Sequence, residues 1–371
     1  MKTSFKIGKI YGIPIKLHFT LIFIVALIAW SVGSNVFLIA KMLNIPNPGI
    51  ALGWKSYTLG VVIAVGLFIS VFIHEMAHSI VSIKNGFPVK EISLWLFGGV
   101  SKIDEMPSDP NLEIKISAVG PLSSLGIGAI TFLGGYFLTN DLIVFTLFYL
   151  SFINFFLAAF NLIPAFPMDG GRILRAVLAK RYSYVKATKS AATIGKVFAV
   201  IIGIIGFFVN IFLILIAFFI YMAASQESQN VLVDHMLSKV SIGSIMSREV
   251  KTIDPDTTIE DFLKMVTTHQ HTGFPVMKNY RIVGIITLTD AKKVSDDMIY
   301  TTRVKEVMEK DIICLSPDDD ANKAWKTMSQ KSIGRFPVLD EDELVGIVTR
   351  SDLVHSFQIQ TEVSKYGGNE L

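Results

Sequence analysis

Long apolar runs, separated by short polar segments, fill the first 226 residues of this 371-residue chain. Each run is long enough to cross about 30 Å of hydrocarbon as a helix. With 51% hydrophobic residues, the chain is too apolar for an ordinary soluble protein. The pattern therefore predicts six transmembrane helices, at residues 17–43, 57–83, 113–138, 141–163, 187–209 and 211–226.

A different pattern lies between the second and third predicted spans. Residues 89–101 partly alternate between polar and apolar side chains and then reach Gly98-Gly99, which predicts a β hairpin with a Gly-Gly turn. Alternation in residues 1–16 predicts a short strand-like or irregular segment at the membrane interface. An apolar hairpin beside a membrane must have its edges covered or paired. It either caps the helices or accepts an extended substrate as an added strand.

Charge is distributed unevenly along the chain. Residues 227–371 contain 23 acidic and 17 basic residues, whereas residues 1–226 contain 8 and 17. Lysines and arginines concentrate in the loops after the second and fourth spans, and such loops face the cytoplasm. We therefore expect a multi-pass protein of the cell membrane with its N-terminus and C-terminal part in the cytoplasm. No basic stripe interleaved with aromatic residues is present, so nucleic-acid binding is not expected. The single cysteine, Cys314, excludes an intrachain disulfide.

The second predicted span contains the sequence His74-Glu75-Met76-Ala77-His78. Residues four apart lie on one face of a helix. The two imidazoles can therefore bind one metal ion, and Glu75 can take a proton from metal-bound water. The alternative is a pair of core histidines that only form hydrogen bonds. That alternative explains neither the spacing nor an ionisable Glu75 at membrane depth.

Two histidines leave a catalytic zinc site incomplete, because such sites usually have three protein ligands and an open position. The fourth span closes with NLIPAFPMDGG at residues 161–171, where two prolines end the helix and two glycines allow a tight turn. Asp169 is the predicted third ligand, although its position also suits an N-cap. Asn154 and Asn161 of the same span are candidates to bind a substrate carbonyl or oxyanion, or to link helices.

These two motifs together resemble the site-2 protease family of intramembrane zinc metalloproteases (peptidase M50-like). The resemblance covers about residues 1–226, and Ala118-Val119-Gly120-Pro121-Leu122 is similar to the family's glycine-proline element. Ser123-Ser124 follows where the family often has an asparagine, and no PDZ domain is inserted. The resemblance implies one zinc ion and cleavage of transmembrane proteins within the bilayer. It also implies zinc ligation by His74, His78 and Asp169, with Glu75 as the general base.

The C-terminal part repeats itself with an offset of 62 residues. Gly273-Phe274-Pro275-Val276 recurs as Arg335-Phe336-Pro337-Val338, and each unit predicts strand, helix, two strands, helix. The repeat resembles a tandem pair of cystathionine-β-synthase (CBS) domains, whose cleft binds adenosine-containing ligands. The alternative is that each Thr-x-x-Asp motif only caps a helix. The resemblance implies contacts with ribose and phosphate by Thr287, Asp290, Thr349 and Asp352.

The predicted fold is a polytopic α-helical membrane protein with a small β hairpin, followed by an α/β tandem CBS module. The predicted division is 1–226 protease domain, 227–242 linker, 243–299 and 300–358 CBS domains, and 359–371 flexible tail. We expect an intramembrane zinc protease that is modulated by ATP, ADP or AMP and forms a homodimer through its CBS domains. The alternatives are a CBS-regulated metal ion transporter or channel, and a scaffold that binds membrane proteins without cleaving them.

Overall fold

The computed structural model describes residues 4–43, 45, 53–95, 98–103 and 109–366. The chain divides into two compact units, Met1–Ser228 and Gln229–Leu371. The first unit is helical and carries one small sheet. Its helices are α1 (Thr20–Ser34), α2 (Val36–Met42), α3 (Trp54–Lys84), α4 (Pro110–Phe137), α5 (Asp141–Asn161), α6 (Asp169–Ala179), α7 (Tyr184–Val209) and α8 (Ile211–Leu237), of which the last continues into the second unit.

Five of these helices, α3, α4, α5, α7 and α8, are long and apolar enough to cross a membrane. The span predicted at 17–43 is not one straight helix, because α1 and α2 meet at an angle of 71°. Asn35 lies at the bend, where its side-chain amide donates to the Ser31 carbonyl oxygen at 2.8 Å. This bond satisfies a carbonyl at the end of α1 and lets the helix stop inside an apolar run.

Close helix packing in this unit depends on small residues. A Cβ atom at Gly60 of α3 would lie 2.4 Å from the Ala29 carbonyl oxygen of α1, so the two backbones touch there. Small residues at such contacts are typical of helices in membranes. A buried cluster beside this contact includes Val32, Ile63 and Phe145, which come from α1, α3 and α5.

The sheet has the strand order β1 (Ser4–Ile10), β2 (Ile13–His18), β3 (Val89–Trp95) and β4 (Gly98–Ile103). The first and last pairs are antiparallel hairpins, and β2 runs parallel to β3. The segment predicted as strand-like or irregular is thus a hairpin that turns at Tyr11-Gly12, both with positive φ. The hairpin predicted at 89–101 is present, but Gly98 and Gly99 lie within β4, paired with Trp95 and Leu94.

The second unit contains two similar halves. The first half holds α9 (Ile242–Ile245), α10 (Ile259–His269), β5 (Gly273–Lys278), β6 (Arg281–Thr287) and α11 (Leu288–Ala291), and the second holds α12 (Val304–Val307), α13 (Ala321–Lys331), β7 (Arg335–Asp340), β8 (Glu343–Thr349) and α14 (Arg350–Tyr366). The strand predicted to open each half is a single bridge, at Ile253 and at Leu315. Pro255 and Pro317 follow two residues later, and proline has no N–H with which to extend the pairing.

The two halves pack on each other through a reciprocal contact. A Cβ atom at Gly284 would lie 2.4 Å from the Met308 sulfur, and one at Gly346 would lie 2.5 Å from the Met246 sulfur. Each glycine thus makes room for a methionine of the other half. At the ends of this unit, α8 runs through most of the predicted linker and α14 continues to Tyr366, while residues 367–371 lie outside the described residues.

Candidate active site

Helix α3 presents His74 and His78 on the same face. Both side chains are buried, with exposures of 4% and 7%, and their ring centroids are 4.9 Å apart. Each ring is oriented through its Nδ1 atom, which lies 3.0 Å from Ser124 Oγ in His74 and 2.6 Å from the Ile116 carbonyl oxygen in His78. Both partners belong to α4. Bonds of this kind leave Nε2 of each ring available for a metal ion.

Asp169 faces the two imidazoles from the start of α6. Its Oδ2 atom lies 3.2 Å from Nε2 of His74 and 3.2 Å from Nε2 of His78. The three ligand atoms lie within 4.8 Å of one another, which allows one metal ion to reach all of them. The N-cap of α6 is Met168, and Asp169 is its first helical residue, so the carboxylate does not serve as that N-cap.

The glycines after Asp169 are needed for close packing. A Cβ atom at Gly170 would lie 2.3 Å from the Ile163 carbonyl oxygen, and one at Gly171 would lie 2.6 Å from the Ala165 carbonyl carbon. Neither glycine has positive φ. The segment between α5 and α6 therefore folds back onto the first turn of α6 and fixes the direction of Asp169. The sequence predicted that the glycines allow a tight turn here. The structure shows that they are needed because there is no space for a side chain at either position.

Glu75 lies next to the sheet. Ser101 of β4 donates two hydrogen bonds to Glu75 Oε2, one from its backbone N–H at 3.0 Å and one from its hydroxyl at 2.7 Å. Gly99 brings the same strand against the side chain, since a Cβ atom there would lie 2.5 Å from Glu75 Cγ. Ser101 was not among the predicted site residues, although it lies in the predicted hairpin at 89–101.

Comparisons with known proteins identify the family of the chain. The chain matches the model of peptidase family M50 at residues 62–145 and 138–202. The zinc metalloprotease MJ0392 of Methanocaldococcus jannaschii is 36% identical over 362 residues, 97% of each chain. This chain belongs to peptidase family M50. The M50 peptidase also matches the CBS domain model at residues 242–297 and 304–358.

Two other known proteins are similar to the M50 peptidase. The putative zinc metalloprotease Rip3 of Mycobacterium tuberculosis is 28% identical over 383 residues, 97% of this chain and 94% of that protein. The solved site-2 protease of Methanocaldococcus jannaschii is 38% identical and covers 61% of this chain and 95% of its own, with a TM-score of 0.42. The M50 peptidase is thus a multi-pass membrane zinc metalloprotease with tandem CBS domains. The predicted family, fold class and enzyme class are confirmed.

A buried ion pair joins α6 and α4 of the M50 peptidase. Arg175 of α6 and Glu113 of α4 are each 1% exposed, and Arg175 Nε lies 2.8 Å from Glu113 Oε1. Arg175 also donates to Glu227 of α8 at 2.6 Å and stacks on Phe166 and Tyr184. Arg175 lies in the predicted basic loop after the fourth span, where no buried partner was expected. The signal that was missed is Glu113, an ionisable residue within a predicted span.

The two asparagines lie in different surroundings. Asn154 is fully buried and donates to Ser70 Oγ of α3 at 3.1 Å and to the Leu150 carbonyl oxygen at 2.8 Å. Asn161 donates to the Leu157 carbonyl oxygen of its own helix at 3.0 Å. Among the described residues, neither side chain bonds to the metal-binding group formed by His74, His78 and Asp169. The role of these asparagines as oxyanion donors stays a prediction.

We name the second unit of the M50 peptidase, Gln229–Leu371, the CBS unit. It contains two cavities, of about 590 and 540 Å³. Thr287 and Asp290 line the first, and Thr349 and Asp352 line the second. In both motifs the threonine hydroxyl donates to the aspartate, at 2.6 and 2.7 Å. Burial opposes ionisation of Asp290, but hydrogen bonds from Lys293 and Thr287 hold its pKa below the ordinary value. The motifs thus cap their helices and also line cavities of ligand size.

Proposed function

We propose that this M50 peptidase hydrolyses peptide bonds of transmembrane proteins within the bilayer. The observation that carries the proposal is the position of His74 and His78, buried in a helix that is long and apolar enough to span a membrane. A site at this position favours substrates that lie in the membrane over soluble ones. The target bond must be in an unwound segment, because the backbone of an intact helix is already hydrogen-bonded.

The donor atoms fit zinc. Two imidazole nitrogens and one carboxylate form a common catalytic ligand set that leaves a coordination position open. His74, His78 and Asp169 would hold the ion, which, when bound, supplies Lewis acidity and acidifies water. The orientation of both rings through Nδ1 supports Nε2 as the ligating atom. No rearrangement of the three residues into a common site is needed, because their ligand atoms already lie close together.

Glu75 is the proposed general base. It accepts a proton from the attacking water and returns the proton to the leaving amine. Ser101 donates to Oε2, and among the described residues Oε1 has no hydrogen-bond partner. Oε1 is therefore the oxygen available for proton transfer. The Ser101 bonds also hold the carboxylate in one orientation.

Strand β4 is the proposed docking edge for the unwound substrate. It forms one edge of the sheet, in the order β1-β2-β3-β4, and it contacts Glu75 through Ser101. An extended segment can add to such an edge through main-chain hydrogen bonds. A strand added to β4 would present its carbonyl groups near the general base. This proposal favours substrate pairing over a purely structural role for the hairpin.

Cleavage of a single-span substrate in detergent tests the catalytic assignment. The wild type is expected to cleave it, and Glu75→Gln is expected to be inactive. Both proteins should bind about one zinc ion per chain. Met76→Leu is the matched control, because Met76 packs against Ile13 and Ile92 and a volume-conserving change there is tolerated. Zinc-loaded wild type that transports metal into liposomes without cleaving any substrate would instead support a transporter.

Regulation by adenine nucleotides is the second part of the proposal. The Thr-x-x-Asp motifs line the two cavities of the CBS unit, where a carboxylate can accept hydrogen bonds from both ribose hydroxyls. We place the N-terminus and this unit in the cytoplasm, and we propose a homodimer formed through it. Titration of ATP, ADP and AMP into the cleavage assay tests the regulation. Equal cleavage rates at all nucleotide concentrations would contradict it.

A further inference from the structure

The two cavities of the CBS unit are related by the 62-residue repeat but differ in charge. We name the first, lined by Thr287, Leu288, Asp290, Glu309, Ile313 and Ile333, cleft A. We name the second, lined by Ser247, Lys251, His271, Thr349, Arg350 and Asp352, cleft B.

Basic residues of cleft B stand where cleft A has apolar ones. Lys251, His271 and Arg350 of cleft B correspond to Ile313, Ile333 and Leu288 of cleft A, 62 positions away in each case. Ser247 of cleft B corresponds to Glu309 of cleft A, which adds a carboxylate there. The Thr and Asp of each motif are the same in both clefts. The two sites therefore share the groups that suit a ribose and differ in those that meet a charged ligand.

The remaining charged residues keep this difference. Cleft A also contains Asp311 and Lys292, and cleft B also contains Glu249. Arg335 lines both clefts and already donates to Thr272 Oγ1 at 2.6 Å and to the Gly273 carbonyl oxygen at 2.5 Å. Among its lining residues, cleft A thus has three carboxylates against one lysine of its own, and one of the three, Asp290, pairs with Lys293 at 2.8 Å. Cleft B has two carboxylates against a lysine, an arginine and a histidine.

The basic side chains of cleft B are available for a ligand. Lys251, His271 and Arg350 are exposed at the cavity, and among the described residues Lys251 and Arg350 have no ion-pair or side-chain hydrogen-bond partner. Phosphate oxygens form charge-assisted hydrogen bonds with such groups. The half-buried Ile313, Ile333 and Leu288 offer no hydrogen bond, and Glu309 repels an anion.

We infer that the two clefts select different ligands: cleft B binds the polyphosphate form of an adenine nucleotide, and cleft A rejects it and accepts only adenosine compounds without phosphate charge. This inference rests on the proposed nucleotide binding by the CBS unit. It assigns the response to ATP to cleft B, which contains Thr349 and Asp352. It also predicts one polyphosphate site per chain although the motif occurs twice.

Calorimetric titration of ATP and of adenosine into the full-length protein in detergent tests the inference. One ATP is expected per chain. The double variant Lys251→Ile/Arg350→Leu, which gives cleft B the residues of cleft A, is expected to weaken ATP binding about 100-fold or more, because each residue loses a charge-assisted bond. Its affinity for adenosine should stay within about threefold of wild type. The exchanged side chains are exposed, and thermal unfolding checks that the variant is folded.

The reverse exchange provides the matched control. Leu288→Arg/Ile313→Lys gives cleft A the basic residues of cleft B and is expected to raise the stoichiometry to two ATP per chain. Two equal ATP sites in the wild type, or unchanged ATP binding by Lys251→Ile/Arg350→Leu, would overturn the inference and leave nucleotide regulation standing. Absence of binding by both ATP and adenosine would overturn the inference together with the proposed nucleotide binding.

Discussion

Gly120 of α4 lies directly against the imidazole of His78, so that a Cβ atom at this glycine would be 2.1 Å from Nε2. The same atom would be 2.7 Å from Nε2 of His74. The backbone of α4 thus forms one wall of the metal-binding group. The third span was predicted from its apolar run, and its glycine-proline element was noted as similar to that of the family. This contact gives the glycine a physical reason.

Substitution of Gly120 by alanine is expected to abolish zinc binding and cleavage together. The added methyl group would clash with the two Nε2 atoms that are proposed to bind zinc and would force α3 and α4 apart. Alanine is otherwise the better helix former, by about 1 kcal/mol, so the helix itself is not weakened. Zinc content per chain and cleavage rate are the measurements.

Gly126→Ala is the matched control for this substitution. Gly126 lies in the same helix, and a Cβ atom there would meet nothing within 4 Å. The Gly126→Ala variant should keep wild-type zinc content and activity. Full zinc occupancy in Gly120→Ala would show that α4 does not enclose the metal ion.

Ser124 is expected to tune zinc affinity through His74. Its hydroxyl lies 3.0 Å from His74 Nδ1, so Ser124→Ala removes the group that orients the ring. Changes to such outer partners typically cost about 10- to 100-fold in metal affinity. Competition with a chelator measures the affinity. Ser123→Ala is the control, because the Ser123 hydroxyl donates to the Gly120 carbonyl oxygen and does not reach the histidines; equal losses in both variants would contradict the assignment.

Local sequence pattern was sufficient for most of the fold and for the three residues that the structure brings together as a possible metal site. His74 and His78 are one helical turn apart, and apolar runs define spans by length alone. Asp169 was predicted because two histidines alone leave a catalytic zinc site one protein ligand short. These inferences rest on spacing within one segment or on the chemistry of a single ion.

Contacts between distant segments were beyond such reasoning. Ser101 reaches Glu75 only because β4 packs on α3, and Ser124 reaches His74 only because α4 crosses the same helix. The bend at Asn35 was missed because hydropathy measures only how apolar a segment is. It does not show that the Asn35 side chain can bond to a free carbonyl at the end of α1 and so end the helix there. Arg175 was taken as a loop base because its partner, Glu113, is 62 residues away.

Loss of the Ser101 hydroxyl is expected to reduce turnover without changing zinc content. Ser101→Ala removes the 2.7 Å bond to Glu75 Oε2 but keeps the backbone bond, so the carboxylate is held less firmly. A fall in kcat of about tenfold is expected, which is a small part of the roughly 10²- to 10⁴-fold that a positioned base contributes. Ser93→Ala, on the neighbouring strand β3, is the control for damage to the sheet. A loss confined to KM would indicate that Ser101 acts on substrate binding alone.

Removal of one partner of the Arg175–Glu113 pair is expected to destabilise the fold, because the other partner then stays charged and buried without compensation. Arg175→Met would leave Glu113 uncompensated, and breaking a buried pair in this way typically costs about 3–5 kcal/mol. Thermal unfolding in detergent should show a clearly lower midpoint for Arg175→Met. Lys180→Met, an exposed change just beyond the same helix, should leave the midpoint nearly unchanged.

The double variant Arg175→Met/Glu113→Gln separates charge from packing. If the cost of the single change is the unpaired carboxylate of Glu113, neutralising that carboxylate should recover a large part of the midpoint, because replacing both members of a buried pair by neutral groups is often tolerated. Arg175 also stacks on Phe166 and Tyr184, so the recovery should be incomplete. A double variant no more stable than Arg175→Met would mean that the arginine acts through these ring contacts and through Glu227 instead of through Glu113.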